Sequence, residues 1–255
     1  MSGSAPAARR PVTVVTGASG GIGAAVAVAL ARQGHDLVLG YLRSRERADA
    51  VAAEVRAAGA RATCVRAEVT DDDDVARLVD AAGGLGRLTG LVANAGLTAH
   101  IGDLADTPVE VIRRVVDVNL VGVLICVRRA AQVLSTARGG HGGSIVTISS
   151  SSTATGSPHE YVHYAAAKAG VETLTLGLAR ELSREGVRVN CVAPGLVRTG
   201  IHADAGDPGR PERMAPQIPI GRAAEPAEIA SAVAWLLGPE ASYVTGATLR
   251  VSGGR

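Results

Sequence analysis

A phenol and an ammonium stand one helical turn apart in Tyr164-Ala165-Ala166-Ala167-Lys168, a run rich in helix formers. The i, i+4 spacing puts both groups on one face, within reach of a single small ligand. A free tyrosine titrates near about pH 10, too high for easy proton exchange at neutrality. A neighbouring cation favours the phenolate and is expected to lower that value toward the working range of acid–base catalysis. Lys168 is the only lysine in the chain, every other fixed cation being arginine. A compact ammonium kept only there points to a need for it beside Tyr164.

Other side chains fit the same chemistry. The run Ser149-Ser150-Ser151-Ser152 follows an apolar stretch and offers a hydroxyl to hold a substrate oxygen beside Tyr164. Counting from the strand end selects Ser150, whereas counting back from the tyrosine selects Ser151; Ser150 is preferred because a loop absorbs an extra residue more easily than a strand. Asn119 falls inside a long helical pattern, where a side-chain amide is unfavourable unless it has a task. His159-Glu160-Tyr161-Val162-His163 spells a zinc-protease string. It runs directly into the Tyr164/Lys168 run and lacks an obvious third ligand, so His159, Glu160 and His163 are expected instead to edge the mouth of the site.

A nucleotide site is expected upstream. Strand Val12–Val15 runs into Thr16-Gly17-Ala18-Ser19-Gly20-Gly21-Ile22-Gly23 and then an Ala-rich helix. Glycines at 17, 21 and 23 permit the tight turn, close approach to a pyrophosphate and close helix-on-strand packing, and the helix start offers free N–H groups. Roughly 20 residues on, where an NAD site places an acid for the ribose diol, Tyr41 stands instead, followed by Arg43 and Arg45. Guanidinium groups grip a 2′-phosphate bidentately, so NADP(H) is the expected cofactor. Asp71–Asp74 reads as an acid-rich first helical turn rather than a metal site.

These groups need a frame. Strands are predicted at Val12–Val15, Leu37–Leu39, Ala62–Val65, Leu91–Ala93, Ser144–Ile148, Val187–Val192 and Thr248–Val251. Helices are predicted at about Gly21–Gln33, Arg45–Ala58, Asp71–Ala82, Pro108–Thr136, Glu160–Ser183 and Pro226–Leu237. The alternation predicts an α/β fold: a doubly wound parallel sheet of about seven strands with helices on both faces, in one domain from residue 11 to 255. Residues 1–10 read as a flexible tail. Leu196–Ile220, with four prolines and little periodicity, reads as an irregular substrate loop that orders on binding.

Bulk properties exclude several classes. A formal charge of +2 with scattered arginines gives no nucleic-acid footprint, and no apolar run reaches membrane-spanning length. Cys64, Cys126 and Cys191 lie far apart and read as buried thiols in a reducing compartment, which points to the cytoplasm.

Taken together, the Thr16–Gly23 loop, Asn94-Ala95-Gly96, Asn119, the serine cluster, Tyr164/Lys168 and Pro194-Gly195 resemble the short-chain dehydrogenase/reductase family over about Pro11–Gly254. The resemblance implies a Rossmann fold and a catalytic set of Asn119, Ser150, Tyr164 and Lys168. Tyr164 would exchange a proton with the substrate oxygen, Lys168 would tune it and bind the nicotinamide ribose, and Asn119 would support a water-linked relay. It also implies that Gly17, Ser19, Gly20, Gly21, Ile22, Gly23, Tyr41, Arg43, Glu68, Val69, Asn94, Ala95, Gly96, Pro194, Val197 and Thr199 contact the cofactor. The family's adenine-side acid is usually Asp, and Glu68 stands in for it; its Asn-Asn-Ala-Gly motif begins here with Ala93. The C-terminal run from Ala241 to Gly254 is similar to 3-oxoacyl-carrier-protein reductases and glucose 1-dehydrogenases. A small carbonyl or alcohol substrate and a homotetramer are implied; the alternative is a catalytically inactive dinucleotide sensor or scaffold. For a carrier-protein substrate, Arg113, Arg114, Arg128 and Arg129 are candidate docking cations.

Overall fold

The computed structural model of the chain describes residues 10–255; of the predicted flexible tail, residues 1–9 lie outside the described residues. Seven strands form one parallel sheet in the order β3-β2-β1-β4-β5-β6-β7. They are β1 (Val12–Val15), β2 (Asp36–Tyr41), β3 (Ala62–Arg66), β4 (Leu88–Ala93), β5 (Gly143–Ile148), β6 (Val187–Pro194) and β7 (Thr248–Val251). β1 and β2 are buried at every position, as expected of strands covered on both faces. β2 begins one residue earlier than predicted because Asp36, fully buried, is held by the Arg61 guanidinium at 2.6 Å and by the Arg61 N–H at 2.8 Å. A paired carboxylate can sit where an unpaired one could not.

Two apolar layers flank the sheet. One packs α1 (Gly21–Arg32), α2 (Arg45–Ala57) and α10 (Pro226–Leu237) against it. The other packs α3 (Asp72–Asp80), α5 (Gly122–Leu134) and α7 (Val162–Leu182). Both layers are built mainly of Val, Leu and Ala, and each fully buried Val or Leu contributes about 1.5–3 kcal/mol. Helices α1, α2, α3 and α10 start within one residue of their predicted positions. Ser44 accepts from the Arg47 N–H ahead of α2, Asp71 accepts from the Asp74 N–H ahead of α3, and Glu225/Glu228 form a capping box on α10. The acids at 71–74 are therefore a capped, charged first turn.

Three segments differ from expectation. The helix foreseen over Pro108–Thr136 is α4 (Val109–Val116), a π turn over Asp117–Val121, and α5. The helix foreseen from Glu160 begins at Val162, because Tyr161 holds a non-helical backbone at φ −147°, ψ 62° and stands as its N-cap. Leu196–Ile220 holds short helices α8 (Ile201–Asp204) and α9 (Arg210–Met214), so it is partly ordered by local turns. One more short helix, α6 (Ser152–Thr155), precedes α7.

Candidate active site

Strand order reverses at β1: its chain-order successor β2 lies on one side and β4 on the other. The crevice outside this switch point is where an open α/β sheet binds ligands. A cleft of ≈ 530 Å³ occupies it, walled by the β1–α1 loop, the ends of β2, β4, β5 and β6, the start of α7 and the 195–210 segment. The four catalytic candidates and all the residues expected to contact the cofactor line it except Gly23. Gly23 stands behind the wall: a Cβ there would drive into the Gly17 carbonyl oxygen and come within 2.6 Å of Asn94 Nδ2. Its bare Cα serves close packing of α1 on the loop, and it is not a contact residue.

The floor of the crevice is tied before any ligand arrives. Thr16 Oγ1 accepts from the Asn94 and Ala95 N–H groups, both at 2.9 Å. Asn94 Nδ2 donates back to the Thr16 and Gly17 carbonyls at 2.9 and 3.2 Å. Gly17 and Gly21 hold φ of 64° and 54°, and a Cβ on Gly21, the first residue of α1, would meet the Thr199 side chain at 3.2 Å. A backbone floor beneath a 12-residue helix start fits a pyrophosphate. At the far end, Tyr41 is buried and Arg43 exposed, and both line the cleft. Arg45 is engaged by Asp49 at 2.8 and 3.0 Å, whereas Arg47, not singled out from the sequence, lies on the wall. Glu68 lines the cleft with its carboxylate paired to Arg114 at 2.8 Å.

At the other end Tyr164 and Lys168 project together from α7, the ammonium 5.8 Å from the phenol ring centre. Lys168 Nζ donates to the Ile148 carbonyl at the end of β5, at 2.8 Å. Burial pushes the Tyr164 phenol up to about 12; the Ser150 hydroxyl beside it pulls the other way, and Tyr161 adds to the rise. Burial also brings Lys168 down to about 8. Removal of each charged form from water is the largest influence on both groups, and for the phenol it runs against the lowering expected from a neighbouring cation. Ser150 is the serine beside the phenol, as the strand-end count requires; the Ser151 N–H is bound to the Pro194 carbonyl at 2.8 Å.

Asn119 is fully buried in the π turn. Its Nδ2 donates to the carbonyls of Leu97 (2.7 Å) and Val115 (2.9 Å), and its Oδ1 accepts from the Leu97 N–H at 3.3 Å. The widened turn, of a kind frequent at functional sites, lets the amide leave the helix ladder and brace the loop after β4. Ser149, which had no assigned role, donates to Glu172 Oε1 at 2.9 Å and lies 3.1 Å from the Lys168 carbonyl, joining the serine run to α7.

Of the three mouth residues foreseen, Glu160 lines the cleft. His159 is exposed and bonds Asp103 at 2.7 Å, and His163 is buried off the cleft with both ring nitrogens unpartnered. Since His159 precedes the helix, the two histidines do not share a helical face. Three of the four candidate docking arginines are engaged: Arg114 pairs with Glu68, and Arg128 and Arg129 with Asp72 and Asp80 of α3. Cys126 and Cys191 are buried free thiols, while Cys64 is only half-buried. No helix among the described residues is long and apolar enough to cross a membrane.

A glycine-floored crevice, a buried Tyr/Lys pair and a serine beside the phenol define a dinucleotide-type oxidoreductase site for alcohol and carbonyl groups. Residues 17–255 match the family model described as Enoyl-(Acyl carrier protein) reductase. Cis-4-hydroxycyclohexanecarboxylate dehydrogenase of Sinomonas cyclohexanicum is 45% identical over 244 residues, covering 95% of each chain. L-rhamnose 1-dehydrogenase (NAD(P)(+)) of Sphingomonas sp. is 39% identical over 246 residues, 94% of each. A short-chain type dehydrogenase/reductase from Mycobacterium marinum superposes with a TM-score of 0.88 at 32% identity, covering 96% of this chain and 94% of that one. The chain belongs to the short-chain dehydrogenase/reductase family.

Proposed function

We propose that the chain is an NADP(H)-dependent oxidoreductase that interconverts a small ketone or aldehyde and its alcohol, with Tyr164 as general acid and base. The observation that carries this is the meeting of Ser150, Tyr164 and Lys168 at one end of a cleft whose other end is the glycine floor. When bound, the dinucleotide supplies or accepts the hydride. The β1–α1 loop from Gly17 to Ile22 holds its pyrophosphate, Tyr41 and Arg43 its adenosine end, Glu68 and Val69 its adenine surroundings, and Asn94, Ala95 and Gly96 its middle. Pro194, Val197 and Thr199 flank the nicotinamide end. Arg43, exposed and without a carboxylate where one would grip a ribose diol, favours the 2′-phosphate.

Ser150 donates to the substrate oxygen and holds it against the phenol. Tyr164 gives its proton to that oxygen during reduction and takes it back during oxidation. Lys168 stabilises the phenolate that remains and holds the ribose hydroxyls; its own raised readiness to lose a proton suits a relay. Asn119 fixes the loop after β4 and supports a water chain to Lys168. Exposed apolar side chains on α5 (Leu124, Val133), α7 (Leu176) and α10 (Trp235), with Tyr243 near the C-terminus, support a homotetramer built through those faces.

The test is turnover of 4-oxocyclohexanecarboxylate, cyclohexanone and an acetoacetyl thioester with NADPH and with NADH, using Tyr164→Phe as control. Activity with NADPH that vanishes in Y164F is the expected result. Turnover retained in Y164F, or none with any of the three, overturns the reading.

A further inference from the structure

Arg210 is an arginine inside the protein, 5% exposed, whereas Arg198, Asp204, Glu212 and Arg213 of the same segment are exposed. It sits on α9, in the stretch that closes the substrate end of the cleft. Its Nη2 donates to Glu160 Oε2 at 2.6 Å, and its guanidinium carbon lies 5.1 Å from the Tyr161 ring centre. Tyr161 in turn meets Tyr164 edge-on, centroids 5.9 Å apart and planes at 72°. Asp207 stands 4.0 Å from the other side of the guanidinium and is itself paired with Arg213. The Glu160 carbonyl accepts from the Gly102 N–H at 3.0 Å, so the loop after β4 joins the same knot.

Among the described residues, the Arg210–Glu160 bond is the only hydrogen bond from residues 200–217 to anything outside 195–225. Arg210, Glu160, Tyr161 and Tyr164 all line the cleft. A bonded carboxylate on one edge and an aromatic face beneath satisfy a desolvated guanidinium, which a surface ion pair would not need. We propose that Arg210 is a positioning residue. Through its clasp on Glu160 and its stacking on Tyr161 it closes the 196–220 segment over the substrate and holds the ring beside Tyr164 in place. The proposal deepens the catalytic reading above and rests on it. The clasp acts at the substrate end, so it sets substrate capture and proton geometry and leaves cofactor binding alone.

The experiment measures kcat and KM for the ketone that the NADPH screen selects, together with NADPH affinity by fluorescence titration. It compares the wild type with Arg210→Ala, Arg210→Lys, Glu160→Gln, the double variant R210A/E160Q, and Y164F. Expected are a KM raised at least tenfold and a lower kcat in R210A, NADPH affinity within twofold of wild type, partial recovery in R210K, and a double variant no worse than R210A. Kinetics of R210A within twofold of wild type, with Y164F inactive, overturn the clasp alone; so does an equal loss of NADPH affinity. Multiplying effects in the double variant overturn the pairing. An active Y164F overturns the catalytic reading and the clasp with it. Should R210A fail to fold by circular dichroism, E160Q against wild type decides by the same split.

Discussion

Gly96 separates Asn119 from Lys168: a Cβ built on it would lie 2.7 Å from Asn119 Oδ1 and 3.5 Å from Lys168 Nζ. The bare backbone at this one position lets the bracing amide and the buried ammonium approach the same loop. Gly96→Ala is expected to cost about 1–3 kcal/mol of stability through overpacking. Because the displaced groups are the relay, turnover should fall more than the melting temperature implies. Thermal melts alongside steady-state kinetics check this; an active G96A of wild-type stability would contradict it.

Lys168 carries its proton only below about 8 in the bare cleft, whereas the Tyr164 phenol keeps its own to about 12. Carbonyl reduction needs both protonated. Its kcat/KM is therefore expected to be level below pH 8 and to fall above it with a slope of about −1. For stability the lysine acts in the opposite sense. Its folded value lies below the unfolded 10.5, so between about 8 and 10.5 the unfolded chain binds more protons and this group's contribution rises with pH. A pH–rate profile and melts over pH 6–10, taken on wild type, separate the two.

Arg43→Ala should discriminate between the cofactors. A lost charged hydrogen bond to a phosphate costs about 1.5–3 kcal/mol, or roughly ten- to a hundredfold in NADPH affinity. NADH, lacking the phosphate, should bind within about twofold of its wild-type value. Fluorescence titration with both nucleotides measures it. Parallel losses for the two would place the phosphate elsewhere, with Arg47 next in line on the same wall.

Trp235 is 42% exposed on α10, and Leu124 and Leu176 are equally exposed on α5 and α7. Trp235→Glu, or Leu124→Glu with Leu176→Glu, should each lower the assembly state by inserting charge into an apolar contact. Light scattering coupled to size exclusion reads this directly; an unchanged mass in both variants would remove these faces from the interface.

Much of this was readable in the residues because period and punctuation agree. Strands covered on both faces read as apolar runs, and the starts of α2, α3 and α10 fall within one residue of the predicted positions. The Tyr164/Lys168 spacing and the glycine loop are local patterns, so they survive without knowledge of the fold. What failed is set by tertiary contact. The π turn at Asp117–Val121 has no signature apart from the misplaced amide of Asn119. The start of α7 is delayed by the non-helical backbone of Tyr161, whose ring packs edge-on against Tyr164 and gives no signal of this in the sequence. Arg210 looks like any surface arginine until Glu160, 50 positions away, is seen against it. The charge states of Tyr164 and Lys168 likewise depend on how much water the fold removes, which spacing does not encode.

The Thr16 hydroxyl, which receives two N–H groups from the loop that follows β4, sets the gauge of the groove from within the protein. On the cofactor reading proposed above, groove width and phosphate preference would rest on different residues, the former on Thr16 and Asn94, the latter on the turn from Tyr41 to Arg47. An engineer wishing to exchange one nicotinamide currency for the other can rewrite that turn and leave the rails where they are.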